Sequence, residues 1–356
     1  MDACRAKVGM SSAIASNAVS SIWSFQNNGS DGASWLKPDQ THGYLSIDYA
    51  HSHYTTITAS TLANSRDSEQ VFVTTLVELA FNHAYLLHAT LAITALHLSH
   101  LQDPGSPQKR DYRILAEKHH EAGLNAFQAM VKDIDRSNFK AVLLFTNVLF
   151  PYSCVTSITA RDNIDHAFES VLANLVLTRR TRPMVTSFYE EMKESELGRI
   201  IPADVNWPEA ETPPTTELTQ LRKFATLIHH VYPADITDAY GHAIHFLDLT
   251  FDVASRSPAP PSDALLKIWI HFVSDRYMHL LTDRQPGSLI IFAHFAVLVH
   301  RCRHYWFLSG LGRQILALAE ALVPAEWTAW LDWPRAQVFG PGEAVVTAGL
   351  GSGAST

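Results

Sequence analysis

Residues 81–101 read FNHAYLLHATLAITALHLSHL, and this stretch decides the fold class. Its apolar side chains recur every three or four residues, at Phe81, Tyr85, Leu86, Ala89, Ala92, Ile93 and Leu96. That spacing is typical of a helix and not of a strand. From residue 71 to residue 102 the only charged side chain is Glu78. Because a helix that is apolar on all sides lies inside a core, the stretch predicts a buried helix, with Asn82 as a candidate cap at its start.

The composition of the 356-residue chain indicates a globular protein. Hydrophobic residues make up 47% and charged residues 17%, which excludes a disordered chain. The formal net charge is −8, so no overall basic field attracts nucleic acid. Nineteen histidines stand beside 27 lysines and arginines, so the net charge shifts strongly between pH 7 and pH 5.

The cysteines and the apolar runs indicate in which cellular compartment the protein is expected. Cys4, Cys154 and Cys302 lie far apart, which argues against a disulfide framework and fits a reducing compartment. The N-terminus lacks the continuous apolar segment of a signal peptide. No uninterrupted apolar run reaches about 18 residues, and the nearest is 289–299. We therefore expect a soluble, intracellular protein without a membrane span.

Helical patterns run through most of the chain and predict an all-α fold of about ten helices in a single large domain. Residues 1–66 are expected to be a largely irregular N-terminal segment with one short helix over 17–25. The helical domain covers 67–335, beginning at a sequence that resembles a capping box, Asp67 to Gln70. A Pro- and Glu-rich linker lies at 209–214, and the Gly- and Ser-rich residues 336–356 are expected to be a disordered tail.

Chemical motifs are sparse. Pairs of histidines at helical spacing, such as His97 and His100, share a face, but no HExxH pattern or carboxylate set completes a metal site. No nucleophile elbow, P-loop or dinucleotide-binding motif follows a predicted strand. We therefore expect a non-enzyme with no catalytic residue, metal or cofactor. If the chain is an enzyme instead, His294 is the first titrating group to test.

The C-terminal third is rich in apolar and aromatic side chains. LIIFAHFAVLV at 289–299 leads into YWFLSG at 305–310, followed by Trp327, Trp330 and Trp333. Such residues most often form core, but a pocket for an apolar ligand is built from the same residue types. Both interpretations can hold for one helix.

The amino-acid sequences of several predicted helices resemble the C-terminal regulatory domain of fungal zinc-cluster transcription regulators, specifically that of the sterol uptake control proteins. The resemblance is carried by HAYLLHATLAITALHLSHL at 83–101, AVLLFTNVLF at 141–150, RQPGSLIIFAHFAVLVHRCRHYWFLSGLGRQIL at 284–316 and WLDWP at 330–334. It covers roughly residues 70–335 and departs from the family between about 162 and 184.

That resemblance implies an all-α domain, often dimeric, with a deep apolar pocket near its closing helices. In the sterol regulators the pocket receives a sterol, whose binding controls whether the protein stays in the cytoplasm or acts in the nucleus. Carried over by position, the pocket candidates are Phe292, Phe295, Val299, Trp306 and Leu308, with Gly310 and Gly312 in an adjoining glycine loop.

One departure from the family is large, because a binuclear zinc cluster needs six closely spaced cysteines and the sequence has three isolated ones. We therefore expect no direct nucleic-acid binding by this chain. The leading hypothesis is a regulatory domain that senses a sterol or another apolar small molecule. The alternatives are a ligand-free interaction protein that heterodimerises with a full-length zinc-cluster regulator, and a helical enzyme of a fungal biosynthetic cluster. A homodimer is also compatible with the resemblance, and the expected location is the nucleus, with shuttling to the cytoplasm.

Overall fold

The computed structural model describes residues 47–159, 163–201, 207 and 209–340, and none of these lies in a β-strand. The predicted all-α fold is confirmed. Helices α1–α6 are Ile47–His53, Arg66–Gln70, Leu76–Ala80, Ala84–His100, Pro107–Met130 and Phe139–Thr159. Helices α7–α11 are Ile164–Arg180, Arg182–Ser187, Tyr189–Glu194, Thr219–Val231 and Ala234–Ser255. Helices α12–α16 are Asp263–Phe272, Asp275–Thr282, Pro286–Arg301, Leu311–Leu322 and Asp332–Phe339.

Tighter and wider helical turns connect some of these helices. Two π-helical turns cover Tyr54–Thr58 and Val71–Thr75, and short 3₁₀ helices cover Ala59–Leu62, Glu196–Ile200, Trp306–Leu308 and Ala325–Leu331. The predicted helix over 17–25, the irregular residues 1–46 and the tail residues 341–356 lie outside the described residues. Of the segment predicted to be irregular, residues 47–62 are helical.

Contacts divide the chain into two compact units. The described part of the first unit consists of residues 47–152 and 180–201, and that of the second consists of residues 153–159, 163–179, 207 and 209–340. Both units are therefore assembled from two separate stretches of chain. The 209–214 segment belongs to the second unit, where Arg222 donates to the carbonyl oxygens of Pro213 at 2.6 Å and Pro214 at 2.9 Å.

Helix α4 forms the centre of the first unit, as the sequence predicts, but its start differs from the prediction. It begins at Ala84 behind an extended His83, with no side-chain cap. Asn82 instead donates its side-chain amide to the carbonyl of Glu78 at 3.2 Å, so its assignment as a cap is wrong. Phe81 is 72% exposed because it lies in the break between α3 and α4. From Tyr85 onward, the apolar residues at helical spacing are buried.

Helix α5 packs along α4 and closes the aromatic core of the first unit. Ser106 caps α5 by accepting the amide N–H of Lys109 at 3.2 Å. Tyr85 of α4 meets Phe127 of α5 edge-to-face, with ring centroids 5.4 Å apart, and Phe127 stacks on Phe145 of α6 at 4.9 Å. Met130 is 53% exposed because the helix ends there.

Helix α6 is the described helix whose length and composition would allow it to cross a membrane. It contains one charged residue, Lys140. Thr, Asn, Ser and Pro interrupt its apolar pattern, so no uninterrupted apolar run marks this helix in the sequence, although it is longer than the 289–299 run. However, 67% of its most apolar window is buried inside the protein, as in the core helix of a globular domain. The apolar composition of α6 accounts both for its burial and for its similarity to a membrane-spanning helix.

Candidate functional site

Helix α14 of the second unit contains the first of the candidate ligand-binding residues. Pro286 occupies its first turn, where a missing N–H is tolerated, and every residue from Gly287 to Val299 is buried. Helices α11, α12, α13, α15 and α16 all contact α14. This enclosure explains why α14 is apolar on all sides and not amphipathic.

Phe292, Phe295 and Val299 are placed together on α14, each no more than 2% exposed. The Phe295 ring stacks on the indole of Trp269 in α12, with centroids 4.1 Å apart, and Phe292 lies 6.0 Å from Phe295. Trp269 is fixed by an indole N–H bond of 3.0 Å to the carbonyl of Ala243 in α11. The arrangement is a rigid aromatic wall built from three helices.

Sequence reasoning did not identify Trp269 or its neighbour Tyr277. The indole of Trp269 meets the ring of Tyr277 edge-to-face at 5.7 Å, and the Tyr277 hydroxyl donates to the carbonyl of Ser288 at 3.1 Å. The available signal was the apolar segment LLKIWIHF at 265–272, whose large aromatic residue indicates core but not which helix it contacts. These two residues belong to the same aromatic group as Phe295.

Trp306 and Leu308 lie in the short 3₁₀ helix that follows α14. Leu308 is fully buried, whereas Trp306 is half-buried and meets Phe307 edge-to-face at 5.8 Å. The two candidates are therefore not equivalent, since Leu308 belongs to the interior and Trp306 reaches toward solvent.

Gly310 and Gly312 do not form one glycine loop, which corrects the sequence-based assignment. Gly310 has φ +96° and is the residue that precedes α15, so it serves the left-handed turn between the 3₁₀ helix and α15. Gly312 lies inside the first turn of α15. A Cβ there would stand 2.7 Å from the carbonyl oxygen of Ala296 and 2.7 Å from the amide nitrogen of His300. Gly312 therefore permits the close approach of α15 to α14.

His294 is the most unusual polar residue of α14. Its Nδ1–H donates to the carbonyl of Ile290 at 2.8 Å, which leaves Nε2 as a bare acceptor. Nε2 is buried and has no hydrogen-bond partner among the described residues. Burial lowers the pKa of His294 to about 4, so the imidazole is neutral at pH 7. The ring stacks on Trp333 of α16 at 5.5 Å and thus contacts a different helix from the one that Phe295 contacts.

The tryptophans of the closing segment pack against helices of the second unit. Trp327 and Trp330 meet the ring of Phe224 in α10 at 6.1 and 5.2 Å, and Trp333 lies 6.1 Å from Phe251 in α11. All three indoles are half-buried and pack on the rings of neighbouring helices, and the aromatic wall around Phe295 contains none of them.

Metal-binding and thiol chemistry find little support in the described part of the chain. No group of three or more His, Cys, Asp or Glu side chains there is arranged to hold a metal ion. Burial raises the pKa of the Cys154 thiol to about 12 and raises that of Cys302 as well, so both stay protonated at neutral pH. Both are free and buried, while Cys4 lies outside the described residues.

Comparisons with known proteins point to transcription regulation. Residues 49–162 match the family model described as the fungal specific transcription factor domain. The chain is also similar to a protein of Gibberella zeae named "Zn(2)-C6 fungal-type transcription factor", with 24% identity over 303 residues. That alignment covers 79% of this chain and 59% of the relative, so the chain spans well under two thirds of the relative's length. No solved structure matches the chain significantly.

Proposed function

We propose that this chain is a regulatory domain of the fungal transcription factor type, which senses an apolar, sterol-like molecule and does not itself read DNA. The observation that carries the regulatory role is the family match over 49–162, a stretch that includes α1–α6. The similarity to a zinc-cluster transcription factor over most of the chain supports the same role.

The ligand-sensing part of the proposal is assigned to the second unit. An apolar surface is formed by Phe292, Phe295 and Val299, and Trp269 packs behind it. The stacked rings of Phe295 and Trp269 make part of this surface flat. A flat, rigid, apolar ligand such as a sterol matches such aromatic surfaces, and it would enter by displacing one of these side chains. Trp306, which is half-buried, lies where the packed interior meets solvent.

Contact with DNA is assigned to a zinc-cluster segment on a partner chain, because the three cysteines of this sequence are widely separated. Cys154 and Cys302 are buried with raised pKa values and do not provide metal-binding thiolates. A heterodimer with a full-length zinc-cluster regulator would bring this chain to DNA in the nucleus, whereas a homodimer would not supply a DNA contact. Ligand state would then determine its movement between cytoplasm and nucleus.

Enzymatic activity is a weaker candidate because His294 is poorly suited to acid–base chemistry at neutral pH. Its pKa near 4 leaves no proton to donate at pH 7, and its Nδ1 is held by the Ile290 carbonyl. Turnover that falls in a His294→Ala variant would support the enzyme hypothesis.

A fluorescent sterol tests the ligand, with energy transfer from tryptophan as the readout. Trp269 lies in the proposed site, so saturable transfer is expected with the wild-type chain. Phe295→Leu should weaken binding at least several-fold while the helical circular dichroism spectrum stays unchanged. The matched control is Phe246→Leu, because Phe246 is also buried and stacks on Phe272 at 4.5 Å outside the candidate set.

Absence of saturable binding, or equal losses in both leucine variants, would overturn the sterol assignment. The regulatory role is tested separately by fusing the chain to an unrelated DNA-binding module beside a reporter gene. Reporter output that never differs from the module alone would contradict it. Copurification with a zinc-cluster regulator, without any sterol binding, would favour the ligand-free heterodimer.

A further inference from the structure

The hydroxyl of Thr58 lies between two imidazoles in the first unit. Nδ1 of His53 in α1 and Nδ1 of His97 in α4 each lie 3.0 Å from Thr58 Oγ1. The two rings are 5.6 Å apart and edge-to-face, and all three residues are buried. Because a hydroxyl has one proton, it donates to one Nδ1 and accepts from the Nδ1–H of the other. The bridge thus requires one neutral imidazole whose Nδ1 is bare, while the other ring donates its Nδ1–H in either its neutral or its protonated form.

A proton added to the accepting Nδ1 breaks this arrangement. The accepting Nδ1 would become a donor, so the Thr58 proton would lose its partner, and two protonated rings would place two positive charges 5.6 Å apart. The other titratable groups that act on His97, or on its neighbour His100, are His100 itself and Lys109, and both are cationic when protonated. His100 lies one turn along α4, and Lys109 of α5 donates to the carbonyls of Ser99 and Gln102 at 3.2 Å, at the end of α4.

The pKa values agree with this geometry. Burial, then the neighbouring His53 and His100, lowers the pKa of His97 to about 4. Burial also lowers the pKa of His53, and burial together with Lys109 lowers that of His100. A released imidazole titrates near 6.5, so release gains protons, and becomes more favourable, as the pH falls from about 6.5 toward 4.

The bridge holds a segment that has little helical stability of its own. Residues 47–62 form one continuous helical segment in which α1 passes into a π turn and then a 3₁₀ turn, and a segment of this length is marginal without tertiary contacts. The segment contacts α4, and its Tyr54 hydroxyl donates to the carbonyl of Phe72 at 3.1 Å. The bridge is therefore a side-chain link between this segment and the central helix.

We propose that the His53–Thr58–His97 bridge is an acid-sensitive latch, which holds residues 47–62 on α4 at neutral pH and releases them when the imidazoles take up protons. Release coupled to two protons changes the ratio of released to latched molecules by up to about 100-fold per pH unit. A second imidazole pair, His88 and His119, joins α4 to α5 through Nδ1 atoms 3.0 Å apart. Its protonation would loosen α5, so the test must distinguish the two places.

Hydrogen–deuterium exchange of the full chain, corrected for intrinsic exchange rates, provides that test between pH 7.5 and 4.5. Peptides covering 47–62 should lose protection at a higher pH than peptides covering α5 and α14. In His53→Asn/His97→Asn, each amide can occupy the place of Nδ1 without titrating, so 47–62 should stay protected at least one pH unit lower. The matched control is His51→Asn, because His51 is exposed on the same helix and should leave the midpoint unchanged.

Loss of protection at 47–62 at the same pH as α5 in the wild-type chain would overturn the latch, whatever the variants do. An unchanged midpoint in the double variant would do the same. If the double variant does not fold, Thr58→Val tests the proposal instead, because valine lacks the bridging hydroxyl and keeps the shape of the threonine side chain. Its 47–62 peptides should exchange fast at pH 7.5 while α14 peptides remain protected, and full protection would refute the proposal.

Discussion

Gly312→Ala isolates the close approach of α15 to α14. In an ordinary helix, alanine is favoured over glycine by about 1 kcal/mol. At Gly312 the added Cβ would lie 2.7 Å from two backbone atoms of α14, whereas ordinary contact starts at 3.4 Å, so the helices must separate by about 3.4 − 2.7 = 0.7 Å. Overpacking of this kind costs about 1–3 kcal/mol. We expect a net loss of up to about 2 kcal/mol in the free energy of unfolding.

Gly241→Ala is the matched control, because Gly241 lies within α11 of the same unit and its Cβ would meet nothing within 4 Å. This variant should gain about 0.5–1 kcal/mol. The two alanine variants should therefore differ by about 0.5–3 kcal/mol, or about 1–12 °C in Tm for a unit of this size. Tryptophan fluorescence during urea and thermal unfolding is the assay, since six of the eight tryptophans belong to the second unit.

The refuting result is a Gly312→Ala protein as stable as Gly241→Ala. Equal stability would mean that α15 moves away from α14 without cost and that the tight contact at Ala296 and His300 does not constrain the fold. A further loss in Gly312→Val relative to Gly312→Ala would support the steric reasoning, because the larger side chain demands a wider separation.

Other perturbations of the second unit have equally definite outcomes. Asp248→Asn removes the buried carboxylate 2.9 Å from Arg222 Nε but leaves the guanidinium its bonds to the Pro213 and Pro214 carbonyls, and should cost about 1–3 kcal/mol in urea unfolding. Glu217→Gln, at an exposed ion pair, should cost under about 1 kcal/mol. The neutral His294, with a pKa near 4 against about 6.5 unfolded, makes stability fall as the pH drops from 6.5 toward 4, by at most about 3 kcal/mol. His294→Phe should flatten that part of the pH profile, and an unchanged slope would contradict the pKa. Buried Cys154 and Cys302 should not react with a thiol reagent until the chain is unfolded. Fast modification of either thiol in the native protein would show that the helices around it open.

Local periodicity was enough to predict the fold class and the buried helices. Residues 85–99 and 287–299 carry apolar side chains on all sides of the helix and no formally charged residue, and most of the first stretch and all of the second are buried. The same periodicity misplaced Phe81 and Asn82, because it detects the spacing of apolar residues and not the turn at 81–83 that interrupts the helix. Helix ends depend on single hydrogen bonds, such as the one from Asn82 to Glu78.

The candidate site could be predicted only in part, for a different physical reason. The burial of Phe292, Phe295 and Leu308 follows from their apolar surroundings in the sequence. The stacking of Trp269 on Phe295 joins residues 26 positions apart, and no local pattern specifies that pairing. Gly312 looked like a loop residue because glycine is common in turns, yet its role comes from the distance between two helices.

The assembly of the first unit from two separate stretches has a practical consequence for anyone who wishes to express it alone. A fragment cut at the limits of the family match, 49–162, would lack the stretch 180–201. That stretch supplies Phe188, which stacks on Phe139 at 5.0 Å, and Glu196, which pairs with Lys140 at 2.9 Å. The truncated fragment would expose the Phe139 ring and aggregate. A soluble first unit instead needs 180–201 joined back to α6 by an engineered linker that replaces α7.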